Sequence, residues 1–337
     1  MIKAYINAID YYLPPNILTN EKLVQEFPEW GVDQIVKKIG INKRHIVTNN
    51  ETAADLAVSA AEKLFAQGIN KDNVDFVLFC TQSPDYFLPA SACIIQDRLG
   101  LSKNVGALDF NQGCSGFVYG LSLAKGLIAA NIAKNVLLLT AETYTKKLHP
   151  QDKGNRSIFG DAGAAALIST EGFAEIGEFS LGSDGSGAEH LILKTGAARY
   201  PEKADNVDFD QNNNPVSSDH IQMNGNAIVT FTLKHIPPLV NSVLDKNGIE
   251  QKDVNLFFFH QANKYMLDFL RKKLKINEEN FYVCLAEVGN TVSSTIPIAL
   301  CEALKDGSLQ KGMKAMLVGF GVGFSWGGCM LNWEKRV

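Results

Sequence analysis

A segment of the chain recurs 180 residues further on, and this recurrence constrains the fold more than any other feature. Gly68-Ile69-Asn70-Lys71-Asp72-Asn73-Val74-Asp75-Phe76 is answered by Gly248-Ile249-Glu250-Gln251-Lys252-Asp253-Val254-Asn255-Leu256, an offset of 248 − 68 = 180 residues. In both copies a helical stretch ends at the glycine, a polar loop follows, and an apolar strand runs on. The first strand reaches Leu78-Phe79-Cys80 and the second Phe258-Phe259-His260. Arg98-Leu99-Gly100-Leu101 then matches Lys273-Leu274-Lys275-Ile276, each closing a helix. Cys114 lies 15 residues after Leu99, and Asn290 lies 16 after Leu274. Each leads into a helix of small and apolar residues, a polar turn and another buried strand, at 136–139 and 315–318. Agreement in order and spacing over about 70 residues marks a duplication.

Helices alternating with continuous apolar strands imply an α/β layered fold whose sheets are covered on both faces. Two halves, 1–172 and 173–337, account for the whole 337-residue chain without a linker. The polar stretch 203–219 reads as a long surface loop. A net charge of −4 supplies no global basic field, so neither nucleic acid nor a membrane surface is expected as a partner. The first residues lack the apolar run of a signal peptide, and no uninterrupted apolar run approaches the ~18 residues of a membrane helix. Six cysteines (80, 93, 114, 284, 301 and 329) show no CxxC spacing. That pattern points away from zinc sites and disulfide frameworks and towards reduced thiols in the cytoplasm.

The duplication puts Cys114, His260 and Asn290 at strand ends and helix starts, where ligands gather in layered α/β folds. Cys114 stands in Asn111-Gln112-Gly113-Cys114-Ser115-Gly116-Phe117, between an apolar strand and a helical stretch. A thiol at a helix N-terminus meets the positive end of the dipole, which favours its thiolate. His260 ends the run Phe257-Phe258-Phe259 and precedes Gln261-Ala262-Asn263. Asn290 lies in Gly289-Asn290-Thr291-Val292-Ser293-Ser294, where helix capping is its alternative role.

Four motifs, Gly113-Cys114-Ser115-Gly116-Phe117, His260-Gln261-Ala262-Asn263, Gly289-Asn290-Thr291 and 321–327, together resemble the β-ketoacyl-[acyl-carrier-protein] synthase III family. Lys43-Arg44-His45-Ile46 and Ile158-Phe159-Gly160-Asp161 extend the likeness along essentially the whole chain. The resemblance implies a thiolase-like, duplicated five-layer α-β-α-β-α fold. It implies that Cys114 takes an acyl group from an acyl thioester, with the backbone amides of Cys114 and Val322 as oxyanion hole. His260 and Asn290 would then hold the carbonyl of a malonyl thioester while carbon dioxide leaves. No metal or redox cofactor is implied; a coenzyme A thioester is a substrate. Implied partners are acyl-CoA, acyl carrier protein and a second copy of the chain.

The resemblance also exposes departures. Family members stack a Trp on the adenine of coenzyme A and meet its phosphates with Arg. Gln34 stands at the Trp position, Lys38 and Lys153 (before Gly154) at two Arg positions, and Tyr265 at a third. Trp30 comes four residues early and would need a different loop path. Lysines meet phosphates as point charges without the bidentate fit, which leaves acyl carrier protein as a second acyl donor. Asn263, which lines the pantetheine tunnel in the family, is retained. Leu88 precedes Pro89 where, in many family members, an aromatic ring reaches across the dimer interface into the partner's acyl pocket, with Phe87 one place earlier. A leucine there leaves room for longer primers unless Phe87 swings in. A non-decarboxylating acyltransferase and a non-catalytic partner subunit are the competing readings.

Overall fold

The computed structural model describes residues 2–210 and 213–334. The first half of the chain runs β1 (Tyr5–Tyr12), α1 (Ala53–Phe65), β2 (Phe76–Cys80), α2 (Ser91–Arg98), β3 (Gly106–Phe110), α3 (Gly116–Ala129), β4 (Asn135–Glu142) and β5 (Ala162–Ser169). The second runs β6 (Ala174–Ser183), α4 (Gly225–Asn247), β7 (Leu256–Phe259), α5 (Lys264–Lys273), α6 (Thr295–Lys305), β8 (Lys314–Gly321) and β9 (Ser325–Trp333). One nine-stranded sheet joins them in the order β3-β2-β4-β5-β1-β6-β9-β8-β7. Outward from the β1–β6 junction, the two arms repeat the same order. Where the second arm would need a counterpart of β3, Phe281 forms a parallel bridge to Phe257. β2 pairs in parallel with β3 and β4, as β7 does with β8; the remaining neighbours are antiparallel.

The apolar strands are continuous because both of their faces are buried, with alternate residues entering different cores. Leu78, Leu138, Phe258 and Leu317 face a central layer formed by α3 and α6. Val77, Phe79, Leu137 and Leu139 face α1 and α2 on one outer side. Phe257, Phe259, Met316 and Val318 face α4 and α5 on the other. The result is five layers, helix-sheet-helix-sheet-helix. The repeated glycines have a conformational reason: Gly68 (φ +92°) and Gly248 (φ +63°) sit just beyond the ends of α1 and α4. Left-handed backbone there costs glycine no Cβ clash. Each leads into a short 3₁₀ turn, Lys71–Asn73 or Gln251–Asp253.

Among the described residues, α4 alone is long and apolar enough to cross a membrane by length and composition. Its Leu239, Val240 and Val243 instead cover the outer face of the second arm. The stretch 203–219 is largely exposed, as a loop should be. It also carries a small hairpin, Asp208–Phe209 against Pro215–Val216, and its residues 211–212 lie outside the described residues.

A small cap consists of the strand pair Asn16–Thr19 and Lys43–Ile46 and the helices Asn20–Glu26 and Val32–Ile39. Arg44 pins it down. This side chain is fully buried, and its guanidinium donates to the Ser157 carbonyl (2.8 Å from Nε), to the Ile41 carbonyl and to the Asn20 side chain. Those acceptors are neutral, and desolvation lowers the Arg44 pKa to about 10. Asp161 continues the connection: its backbone N–H donates to the His45 carbonyl and its carboxylate accepts from Val47 N–H. Two of the sequence motifs therefore form a single brace between the cap and the segment 157–161.

Candidate active site

Cys114 occupies the turn into α3, against the end of β8. Two glycines of β8 make that approach feasible. A Cβ on Gly319 would lie 2.8 Å from the Ser115 Cα, and one on Gly321 would lie 2.8 Å from the Cys114 sulfur. Real side chains do not tolerate such contacts, so glycine is required at both positions. The backbone amides of Val322 and of Cys114 itself both reach the sulfur. They are the two donors anticipated for the oxyanion hole.

The thiol itself differs from the sequence expectation. Burial, reinforced by the nearby Glu142 carboxyl, raises its pKa to about 12 against the lowering effect of the two amides. Desolvation outweighs the helix terminus, and Cys114 rests as a thiol that must lose its proton during attack.

His260 follows β7, its backbone N–H donating to the Val318 carbonyl at 2.8 Å. Its ring is buried, and desolvation lowers its pKa to about 3, so the imidazole is neutral at working pH. Nδ1 lies 2.8 Å from the Thr295 hydroxyl, and Nε2 lies 3.5 Å from Asn290 Nδ2. Asn290 is itself held from both sides. Its backbone N–H donates to the Ile158 carbonyl (2.9 Å) and its carbonyl accepts from Gly160 N–H (3.0 Å). Its Oδ1 accepts from Val292 N–H at 2.9 Å, which turns the amide group towards His260. Ser294, not Asn290, precedes the first turn of α6, so capping is not the role of Asn290. Gly289, at φ +74°, supplies the left-handed turn that brings the loop in.

The donor-site candidates lie on separate elements. Lys38 is exposed at the end of the helix Val32–Ile39. Lys153 opens the short helix Lys153–Arg156, followed by Gly154; its ammonium pairs with Glu29 at 2.8 Å and lies 5.9 Å from the Trp30 ring centre. Asn263 caps α5, its Oδ1 accepting from Met266 N–H at 2.9 Å. Phe87 and Leu88 are 83% and 82% exposed and line a cavity of about 930 Å³ that Val322 also borders.

Sequence reasoning missed Thr295, which fixes His260, and Glu142 at the end of β4. A lone acid closing an apolar strand was the available signal for the latter. The Glu142 carboxyl is fully buried, accepting from Gln82 N–H and the Ser83 hydroxyl on one side of the site and from the Ser293 hydroxyl, near Asn290, on the other. Burial raises its pKa to about 8 despite these donors. Because the folded pKa lies above the unfolded value near 4.5, its contribution to stability is complete below that value. It is then lost as pH rises to about 8. The Glu142→Gln protein should therefore lose less thermal stability than wild type between about pH 5 and about pH 9. Asp161 shifts in the same direction, so the quantity that decides is the difference between the two melting-temperature profiles; parallel profiles would refute the assignment.

A buried thiol under two amides, opposite a neutral His–Asn pair, in a doubled α/β fold, defines a condensing enzyme of the thiolase-like class. Residues 108–185 match the 3-oxoacyl-[acyl-carrier-protein] synthase III family, and residues 244–333 match the C-terminal part of the same family. The β-ketoacyl-[acyl-carrier-protein] synthase III of Clostridium perfringens is 38% identical over 98% of this chain and 100% of its own length. A 2.1 Å crystal structure of a 3-oxoacyl-(acyl-carrier-protein) synthase III superposes with a TM-score of 0.96 at 48% identity, covering 98% of this chain and 99% of that one. The enzyme of Pseudomonas aeruginosa gives 0.87 at 32% identity, covering 99% of each. The chain belongs to the β-ketoacyl-[acyl-carrier-protein] synthase III family and is an acyltransferase.

Proposed function

We propose that the enzyme initiates fatty-acid synthesis in the cytoplasm by moving an acyl group from acyl-CoA to Cys114 and condensing it with malonyl-acyl carrier protein. Cys114 attacks the thioester carbonyl, the oxyanion is met by the amides of Cys114 and Val322, and the thiol proton leaves with the coenzyme A thiolate. The malonyl thioester then places its carbonyl between His260 Nε2 and Asn290 Nδ2. Loss of carbon dioxide leaves an electron pair on the α-carbon, which attacks the acyl-Cys114 carbonyl. The Cys114 thiolate departs and is reprotonated, releasing 3-oxoacyl-acyl carrier protein. For His260 to donate from Nε2, Nδ1 must accept from the Thr295 hydroxyl, 2.8 Å away.

The observation that carries this reading is the neutral His260–Asn290 pair, 3.5 Å apart, linked through Val292 to the apolar cluster that holds a thiol flanked by two backbone amides. An imidazole that stays neutral can stabilise a developing enolate without holding a carboxylate in the ground state. Trp30 and Lys153, an aromatic face and a cation side by side, support coenzyme A as the donor carrier. Acetyl-CoA with malonyl-acyl carrier protein should yield 3-oxobutanoyl-acyl carrier protein, with carbon dioxide and coenzyme A released in equal amounts. Coenzyme A release without carbon dioxide would instead select the non-decarboxylating acyltransferase. The enzyme acts as a homodimer: among the described residues β3 has no strand on its outer edge, and Leu108 upon it is exposed, as are Tyr86, Phe87 and Leu88 in the loop after β2. Light scattering on the same preparation tests this, a monomeric mass at micromolar concentration counting against it.

A further inference from the structure

We infer that Val292 is the positioning residue for the His260–Asn290 pair: its left-handed backbone, kept in place by its buried side chain, aims both donors at the malonyl carbonyl. The inference rests on the decarboxylating role of that pair proposed above and goes beyond it by naming the residue that sets its geometry.

The chain between Gly289 and α6 is fastened at two places. Upstream, the backbone N–H and carbonyl of Asn290 are bonded to Ile158 and Gly160. Downstream, the Ser293 hydroxyl donates to the Glu142 carboxyl at 3.4 Å and the Ser294 hydroxyl to the Thr140 carbonyl at 3.1 Å, so both residues are held to β4. Thr291 adds no anchor through its side chain, whose buried hydroxyl has no hydrogen-bond partner among the described residues. The turn between the two fastenings falls on Val292, at φ +55°. A β-branched residue rarely adopts left-handed backbone, because its Cβ then crowds the following carbonyl oxygen. It persists there only where the surroundings hold it. Here Val292 is completely buried, in the apolar cluster that also contains Cys114, Tyr144 and Phe159.

The backbone of Val292 bears on both members of the pair. Its N–H donates to Asn290 Oδ1 at 2.9 Å, which fixes the plane of the amide and with it the direction of Nδ2. Its carbonyl lies 3.1 Å from the Thr295 hydroxyl, itself 2.8 Å from His260 Nδ1. Relaxing Val292 out of the left-handed region would withdraw the N–H from Asn290 and move the carbonyl away from Thr295. Cys114 depends on neither contact, since the amides at its sulfur are its own and that of Val322. Two substitutions separate side chain from backbone. Alanine removes most of the packing yet still resists a positive φ, so the backbone relaxes and the pair loses its aim. Glycine removes more of the side chain but adopts a positive φ freely, so the aim survives. A residue that mattered only as core packing would give the reverse order, with glycine the worse.

The test compares the full-length enzyme with its Val292→Ala and Val292→Gly variants, and uses Asn290→Ala as the reference. Labelled carbon dioxide released from malonyl-acyl carrier protein reads decarboxylation, and intact-protein mass reads acetyl loading of Cys114 from acetyl-CoA. Val292→Ala should lower kcat for decarboxylation by about tenfold, while KM shifts and acetyl loading falls by less than about threefold. Val292→Gly should decarboxylate at least about threefold faster than Val292→Ala. If the glycine protein does not fold, the split between half-reactions in Val292→Ala still decides. Equal slowing of both half-reactions by Val292→Ala overturns the inference, as does a wild-type decarboxylation rate in that protein. Glycine slower than alanine overturns it as well, because that is the order of a merely structural side chain. A wild-type rate in Asn290→Ala would overturn the reading of the pair itself, a result distinct from an Asn290→Ala loss that Val292→Ala does not share.

Discussion

Replacing Cys114 by alanine should abolish the acyl-enzyme, lowering thioester turnover by at least about 10⁴-fold, while Cys80→Ala and Cys301→Ala retain the adduct. The contrast is informative because all three thiols are buried and all have raised pKa values. Acidity does not distinguish them; surroundings do. Cys80 donates to the Gln112 carbonyl at 3.0 Å beneath α3, and Cys301 packs in the central helix layer. Only Cys114 has two backbone amides at its sulfur and the glycines of β8 behind it. Intact mass after incubation with acetyl-CoA reads the outcome directly. An adduct persisting on the Cys114→Ala protein would remove the assignment.

His260→Ala and Asn290→Ala should each slow malonyl decarboxylation by ~10²–10³, the usual cost of one oxyanion donor, with a smaller effect on acylation of Cys114. Labelled carbon dioxide release and single-turnover acylation measure the two half-reactions separately. With the imidazole pKa near 3, the decarboxylation rate should show no inflection near pH 6.5 that vanishes in the His260→Ala enzyme. Equal damage to both half-reactions would mean that His260 serves chiefly as the base for the thiol.

Much of this architecture was readable in advance because its causes are local and periodic. Glycines at 68 and 248 end helices in left-handed turns, and the apolar runs 76–80 and 256–259 are strands whose two faces are both covered. Cys114 and His260 could be singled out because one precedes α3 and the other follows β7 in the duplicated pattern, whereas Asn290 lies in the loop before α6. What could not be read depends on long-range contacts. The thiol looked acidic from its helix terminus alone, since burial and the approach of Glu142 are set by strands far away in sequence. The pairing of Lys153 with Glu29, 124 residues earlier in the chain and next to Trp30, likewise leaves no mark in spacing. Leu88 was named as the pocket gate from the family likeness, and its side chain stands exposed beside that of Phe87.

The two arms of the sheet brace each other's chemistry. Cys114 belongs to the first and is backed by Gly321 of the second; Asn290 belongs to the second and hangs from Ile158 and Gly160 of the first. Neither half of the gene product could therefore be expected to act alone, since each would carry reactive groups without the backbone that aims them. The same cross-bracing makes activity a stricter gauge of assembly than helix content. Slight slippage between the arms would silence turnover while every helix and strand remained in place.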